Sequence, residues 1–177
     1  KKALKVGHVD SITLFSKCHH GWSYHPTKVN QMHPSLKFDL LGAQLEACAE
    51  IGVRAPIYIS AGLDEKYAVA HPEWLIRNSD ESLTWAPTFN EPGYHRLCFN
   101  TGYLDELIKQ IREVMENYRP VELFLDICIP TPCFCMACRT DMKRKGLNPE
   151  IPNDVMKQAD DVFITYAKLV RAVMDEY

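Results

Sequence analysis

Three short apolar runs in this chain each end on polar side chains, and those ends hold most of its chemistry. Ile12-Thr13-Leu14-Phe15 leads into Lys17-Cys18-His19-His20-Gly21, Ile57-Tyr58-Ile59 into Ser60, and Leu123-Phe124-Leu125 into Asp126. A carboxylate at a partly buried strand end can serve as nucleophile or as acid/base. An imidazole brings one donor and one acceptor to a bound hydroxyl group, and a lysine beside a carboxylate, Asp126 included, keeps it ionised. If the first run continued as a strand through residues 19 and 20, the two histidines would point to opposite sides and only one would face a shared mouth. Trp22, Tyr24, Trp74 and Trp85 offer flat rings for stacking, although loop aromatics more often pack among themselves.

The second chemical signal is sulfur. Seven cysteines are many for 177 residues, and Cys128, Cys133, Cys135 and Cys138 crowd into one short stretch. An odd count and this clustering argue against a disulfide framework and for metal ligation or a reducing, cytoplasmic compartment. Cys133-x-Cys135-x2-Cys138 with Cys98 upstream supplies four thiolates, a set that suits tetrahedral zinc. Cys128 is an alternative fourth ligand. No His-x3-His pair accompanies them, so such a zinc is structural and no cofactor serves catalysis.

The elements that must position these groups follow from periodicity. Residues 11–17, 53–60 and 121–127 read as buried parallel strands. Phe38, Leu41, Leu45 and Cys48 recur at helical steps before Gly52, a C-terminal stop. A short helix is expected around Asp64 to Ala70, inside a long connection to Asn100 of a kind that often forms binding loops. Asn100 or Thr101 caps a helix burying Leu104, Leu107, Ile108, Ile111 and Val114, which Pro120 ends. Arg139–Lys145 is a short helix closed by Gly146, and Asp154 caps a last one with Val155, Ala159, Val162, Phe163, Tyr166, Leu169, Val170 and Val173 inward. Alternating strands and helices imply right-handed parallel crossovers. That leaves a doubly wound sheet or part of a (β/α)8 barrel, and no glycine-rich phosphate loop follows the first strand.

The net charge of −3 comes with no basic run, which argues against nucleic-acid partners. No apolar stretch approaches the ~20 residues of a membrane span. Lys1 to Val6 lacks the apolar region of a secretion signal.

Lys17-Cys18-His19-His20-Gly21-Trp22, with Pro26-Thr27-Lys28 beyond, resembles the Lys-His-His-Asp-Gly-Phe motif of glycoside hydrolase family 29, the α-L-fucosidases. Tyr58-Ile59-Ser60 is similar to that family's Tyr-Tyr-Ser strand end, and Phe124-Leu125-Asp126 to its Trp-Phe-Asp-Gly. Cys18 stands at the motif's first histidine and His20 at its aspartate. Over nearly the whole chain the likeness is to the hypothetical glycosyl hydrolase 6 family, through Lys17–Lys28, His33-Pro34, Asp39–Gly42, His71–Trp74 and the cysteine cluster. The cysteine arrangement is also similar to the zinc site of family 42 β-galactosidases.

These resemblances imply an α/β fold: about strand 2 to helix 4 of a (β/α)8 TIM barrel, a single partial domain over residues 1–177. They imply a retaining glycosidase acting on a terminal sugar. Asp126 is the expected nucleophile, and His19, His20, Lys17, Trp22 and Tyr58 are the expected substrate contacts. Cys98, Cys133, Cys135 and Cys138 hold the zinc. The acid/base is expected outside the chain, with Asp64, Glu65 and Glu73 as the rivals within it. A carbohydrate is the expected partner, and room is left for a homo-oligomer. The competing readings are β-galactosidase-like specificity, a carbohydrate-binding barrel without turnover, and a zinc-stabilised interaction module.

Overall fold

A computed structural model describes the whole chain, Lys1–Tyr177. Its elements run α1 (Lys2–Val6), β1 (Leu14–Lys17), α2 (Leu40–Ala49), β2 (Ile57–Ser60), α3 (Glu65–Ala70), a 3-10 turn (Pro72–Trp74), α4 (Tyr103–Tyr118), β3 (Leu123–Asp126), α5 (Met136–Lys145) and α6 (Pro152–Met174). The three strands form one parallel sheet in the order β1-β2-β3. Each strand, at four residues, is shorter than the range expected for it. The first is extended only by a bridge from Ser11 to Arg54.

Local signals set the helix ends. Asp39 caps α2, its carboxylate accepting from Gly42 N, so Phe38 falls outside the helix and is exposed. Asp64 caps α3 in the same way through Tyr67 N. The expected side-chain cap of α4 is absent: Gly102 occupies that position, and the Thr101 hydroxyl accepts from Tyr103 N instead. Ile151, not Asp154, occupies the N-cap position of α6, without a side-chain cap, and Pro152 opens the first turn.

One face of the sheet carries Leu14, Ile57 and Ile59 into a core shared with Leu107, Ile111 and Val114 of α4 and Tyr166, Val170 and Val173 of α6. Leu169, expected inward, is exposed. The opposite face carries an aromatic row that follows the register. Phe15 pairs with Tyr58 and Tyr58 with Phe124, and the ring centroids lie 4.3 and 5.5 Å apart. Phe15 remains 44% and Phe124 52% exposed. Two residues further along each strand, this same face ends at Ser60 and Asp126.

Candidate active site and a four-cysteine cluster

Parallel register puts Ser60 directly opposite Asp126 at the C-terminal ends of β2 and β3. Each oxygen of the Asp126 carboxylate has a donor: the Tyr58 hydroxyl reaches Oδ2 at 2.6 Å, and the Ile127 backbone N–H reaches Oδ1 at 2.9 Å. Burial, and then the bond to Asp126, push the Tyr58 phenol well above its usual range, so it stays a donor at any ordinary pH. Ile127 adopts a left-handed φ of 58°, which is uncommon for a β-branched residue. Its carbonyl lies where a side chain on Gly62 would be, 2.1 Å from an ideal Cβ.

His19 joins this group through β2. Its Nδ1 is 2.7 Å from Ser60 Oγ, and that hydroxyl donates to Leu63 O at 2.7 Å. With the serine proton committed, Nδ1 carries the imidazole hydrogen and Nε2 is left as an acceptor. Burial holds the His19 pKa below its ordinary value, against an opposing pull from Asp126. The neutral ring is therefore the resident form.

Strand β1 ends at Lys17 and the chain turns, Gly21 N donating to Cys18 O. The strict alternation expected for His19 and His20 therefore does not apply. Both rings approach Tyr94, at 5.0 and 5.6 Å between centroids. Tyr94 was not anticipated: it lies in the irregular connection before α4, where no periodicity singles out one aromatic. The bridge of Leu63 to Arg96 and the bonds from His95 to the Glu65 carboxylate bring that segment to the mouth.

Lys17 does not reach the mouth, contrary to expectation. It is 1% exposed and bonds Asp64, itself fully buried, at 2.8 Å. The bulge between Phe15 and Lys17 turns it from the aromatic face. Trp22 lies beside the mouth, under the Lys66 ammonium at 4.7 Å. It lines a cavity of about 720 Å³ that His20 also borders. Trp74 stacks on His71 and packs at the core margin. The carboxylates expected to rival an outside acid are all engaged: Asp64 with Lys17, Glu65 with His95, and Glu73 with His71.

The sulfurs of Cys98, Cys133, Cys135 and Cys138 are buried and lie within 4.8 Å of one another. Cys98 and Cys138 are 3.5 Å apart. A tetrahedron with ~2.3 Å metal–sulfur bonds has edges of ~3.8 Å, so the donor set fits zinc. Backbone N–H groups of Asn100 and Cys135 already point at Cys98 and Cys133, at 3.4 and 3.5 Å. The three neighbouring thiols lower the pKa of the Cys135 thiol. Cys128 stands apart, bonded to the Tyr166 hydroxyl at 3.0 Å.

A family model described as hypothetical glycosyl hydrolase 6 matches residues 1–127, a span that holds His19, Tyr58 and Asp126 but stops before Cys133. Among solved structures, α-L-fucosidase isoenzyme 2 from Paenibacillus thiaminolyticus is similar at 46% identity and a TM-score of 0.97. The alignment covers 99% of this chain and 26% of that one. An α-fucosidase from Thermotoga maritima (TM-score 0.52, 22% identity, 90% of this chain and 32% of that one) shares the fold. So does a β-galactosidase from Bacillus circulans sp. alkalophilus (TM-score 0.70, 14% identity, 99% and 32%). This chain thus spans about a quarter to a third of the length of these structures. No curated protein matches it.

Proposed function

The chain belongs to the hypothetical glycosyl hydrolase 6 family, and from that membership we propose that it is the strand-two-to-helix-four portion of a (β/α)8-barrel glycosidase. The parent enzyme removes a terminal sugar, α-L-fucose or one like it, with retention of configuration. One observation carries this reading: a carboxylate at a strand's C-terminal end, held at both oxygens, opening beside two histidines and a tyrosine. Active sites of such barrels are built at that end of the strands.

Asp126 attacks the anomeric carbon as the glycosidic bond breaks, and the leaving oxygen takes a proton from an acid outside this chain. Water then displaces Asp126, giving a proton back to that same group. Tyr58 and the Ile127 N–H keep the carboxylate aimed for its attack, when geometry counts most. His19 accepts a sugar hydroxyl at Nε2, and His20 and Tyr94 close the same side.

Zinc in the Cys98–Cys133–Cys135–Cys138 cluster is the structural part of the proposal. Bound there, it ties the segment before α4 to the start of α5. It takes no part in the reaction, and metal analysis of the purified protein tests it.

A sugar-binding barrel without turnover is the second reading, favoured by the engagement of Asp64, Glu65 and Glu73 elsewhere. Both are separated in the complete polypeptide with Asp126→Gly. Turnover of an aryl fucoside is expected to drop by several orders of magnitude and to return in part with azide, which takes the nucleophile's place. A mechanism-based fucosyl label is expected on the peptide containing Asp126. Label on another carboxylate, or a near-normal rate for the variant, defeats the assignment.

A further inference from the structure

Arg96 is 9% exposed and has no carboxylate partner, unlike Lys17. Its one hydrogen bond runs from Nη2 to Thr131 Oγ1 at 2.6 Å, and its Nε is buried without a partner. The guanidinium also lies 5.3 Å from the ring of Trp85, a largely exposed residue. A neutral hydroxyl and one aromatic face compensate a buried cation poorly. An arginine cannot shed its charge to escape the cost.

Nor is its position accidental. Ile76 N donates to Arg96 O, Leu97 N donates to Gly62 O, and Arg96 itself bridges to Leu63. The backbone is fixed on both sides, so the side chain has little freedom to swing to water. It faces a cavity of about 30 Å³ that Cys98, Cys133 and Cys138 also line and that is otherwise mostly apolar. That volume holds a water or two and excludes an organic anion. No carboxylate lines that cavity.

The cluster has the complementary problem. Four thiolates around one zinc ion leave a doubly negative centre inside the protein, and N–H···S bonds from Asn100 and Cys135 offset only part of it. A cation without a counter-ion and a doubly negative centre, facing one small apolar cavity, attract each other, and the arginine offsets one of the two negative charges. We propose that Arg96 is the outer-sphere counter-charge of the tetrathiolate zinc centre, a positioning and charge-balancing residue that never ligates the metal. This rests on the zinc reading of the cluster and is independent of the hydrolase reading.

The proposal makes the sign of one substitution depend on the metal. In the complete polypeptide, Arg96→Met removes a cation that zinc-loaded protein needs and metal-free protein does not. Zinc competition with a chromogenic chelator is expected to show about 10- to 100-fold weaker retention in Arg96→Met. Arg96→Lys, which keeps the charge, should stay within about threefold of the parent. The melting temperature should fall in zinc-loaded Arg96→Met and hold or rise in the metal-free form, whereas a packing role lowers both. Where the metal-free forms do not fold, the Met-against-Lys contrast in chelator competition alone decides. Retention in Arg96→Met within twofold of a zinc-binding parent overturns the inference and leaves the zinc site standing. Equal loss in the Met and Lys variants also overturns it. A parent that binds no zinc overturns both.

Discussion

At the scale of single residues, the site depends on one glycine and one neutral histidine. Gly62 leaves room for the Ile127 carbonyl, and Ile127 in its left-handed conformation gives its N–H to Asp126 Oδ1. Gly62→Ala must push residue 127 aside and take that donor with it. In the complete polypeptide kcat is expected to fall about a hundredfold, the usual result of misplacing a reacting group by an ångström. KM should change little, because the proposed sugar contacts, His19, His20 and Tyr94, lie elsewhere. Parental kcat in the Gly62→Ala variant rules this geometry out. His19 makes a prediction about pH. Its folded pKa is lowered by burial from an ordinary value of 6.5, so below that pH the unfolded chain binds the proton first. The stability that His19 contributes is complete above 6.5 and is lost as pH falls through the window down to its folded pKa. Unfolding by urea at about pH 7.5 and about pH 5.5 should show the difference, and His19→Asn should shrink it.

At the scale of elements, the Lys17–Asp64 pair fastens the end of β1 to the start of α3. Glu65 N donates to His19 O at 3.0 Å from the same junction, so the pair also sets where the histidine loop sits. Asp64 has a second task as the α3 cap. Gly21 is confined by it as well, being at φ +87° with Asp64 Oδ1 2.2 Å from an ideal Cβ. Asp64→Asn leaves a lysine ammonium buried without its counter-ion. The expected cost is about 3–5 kcal/mol in urea unfolding, with weaker sugar binding as His19 moves. A loss under about 1 kcal/mol would mean that Lys17 finds water or another partner.

At the scale of the whole molecule, the three-stranded sheet has two open edges. Strands β1 and β3 each have one partner, and Phe15 and Phe124 leave half of their surface open on the face away from the helices. Open edges and an uncovered aromatic row are liabilities in an isolated domain. A closed barrel of ~250 residues would cover both. These 177 residues alone are expected to self-associate in sedimentation experiments and, on the proposal that the acid lies outside them, to hydrolyse no aryl fucoside. The complete polypeptide should do the reverse. Turnover by the short chain alone would place the acid within it.

Local patterns were enough for the order of the three strands and of the main helices that alternate with them, for the strand ends and for the four cysteines, whereas α1 (Lys2–Val6) was not expected. Apolar runs must be buried, Asp39 and Asp64 cap the helices that follow them, and Cys133-x-Cys135-x2-Cys138 has thiol spacing at any fold. The sequence could not determine what faces what. His19 and His20 share Tyr94 because the strand stops at Lys17, the motif's first residue, and stopping depends on which backbone groups find partners across the sheet. Lys17 went to Asp64 because a bulge turned it away from the mouth. Tyr94 and Arg96 gained their places from a connection with no periodicity, folded back onto Leu63 by long-range bridges. Contacts between residues tens of positions apart are decided by tertiary packing, since a buried charge or ring accepts whichever partner the closed chain brings within a few ångströms.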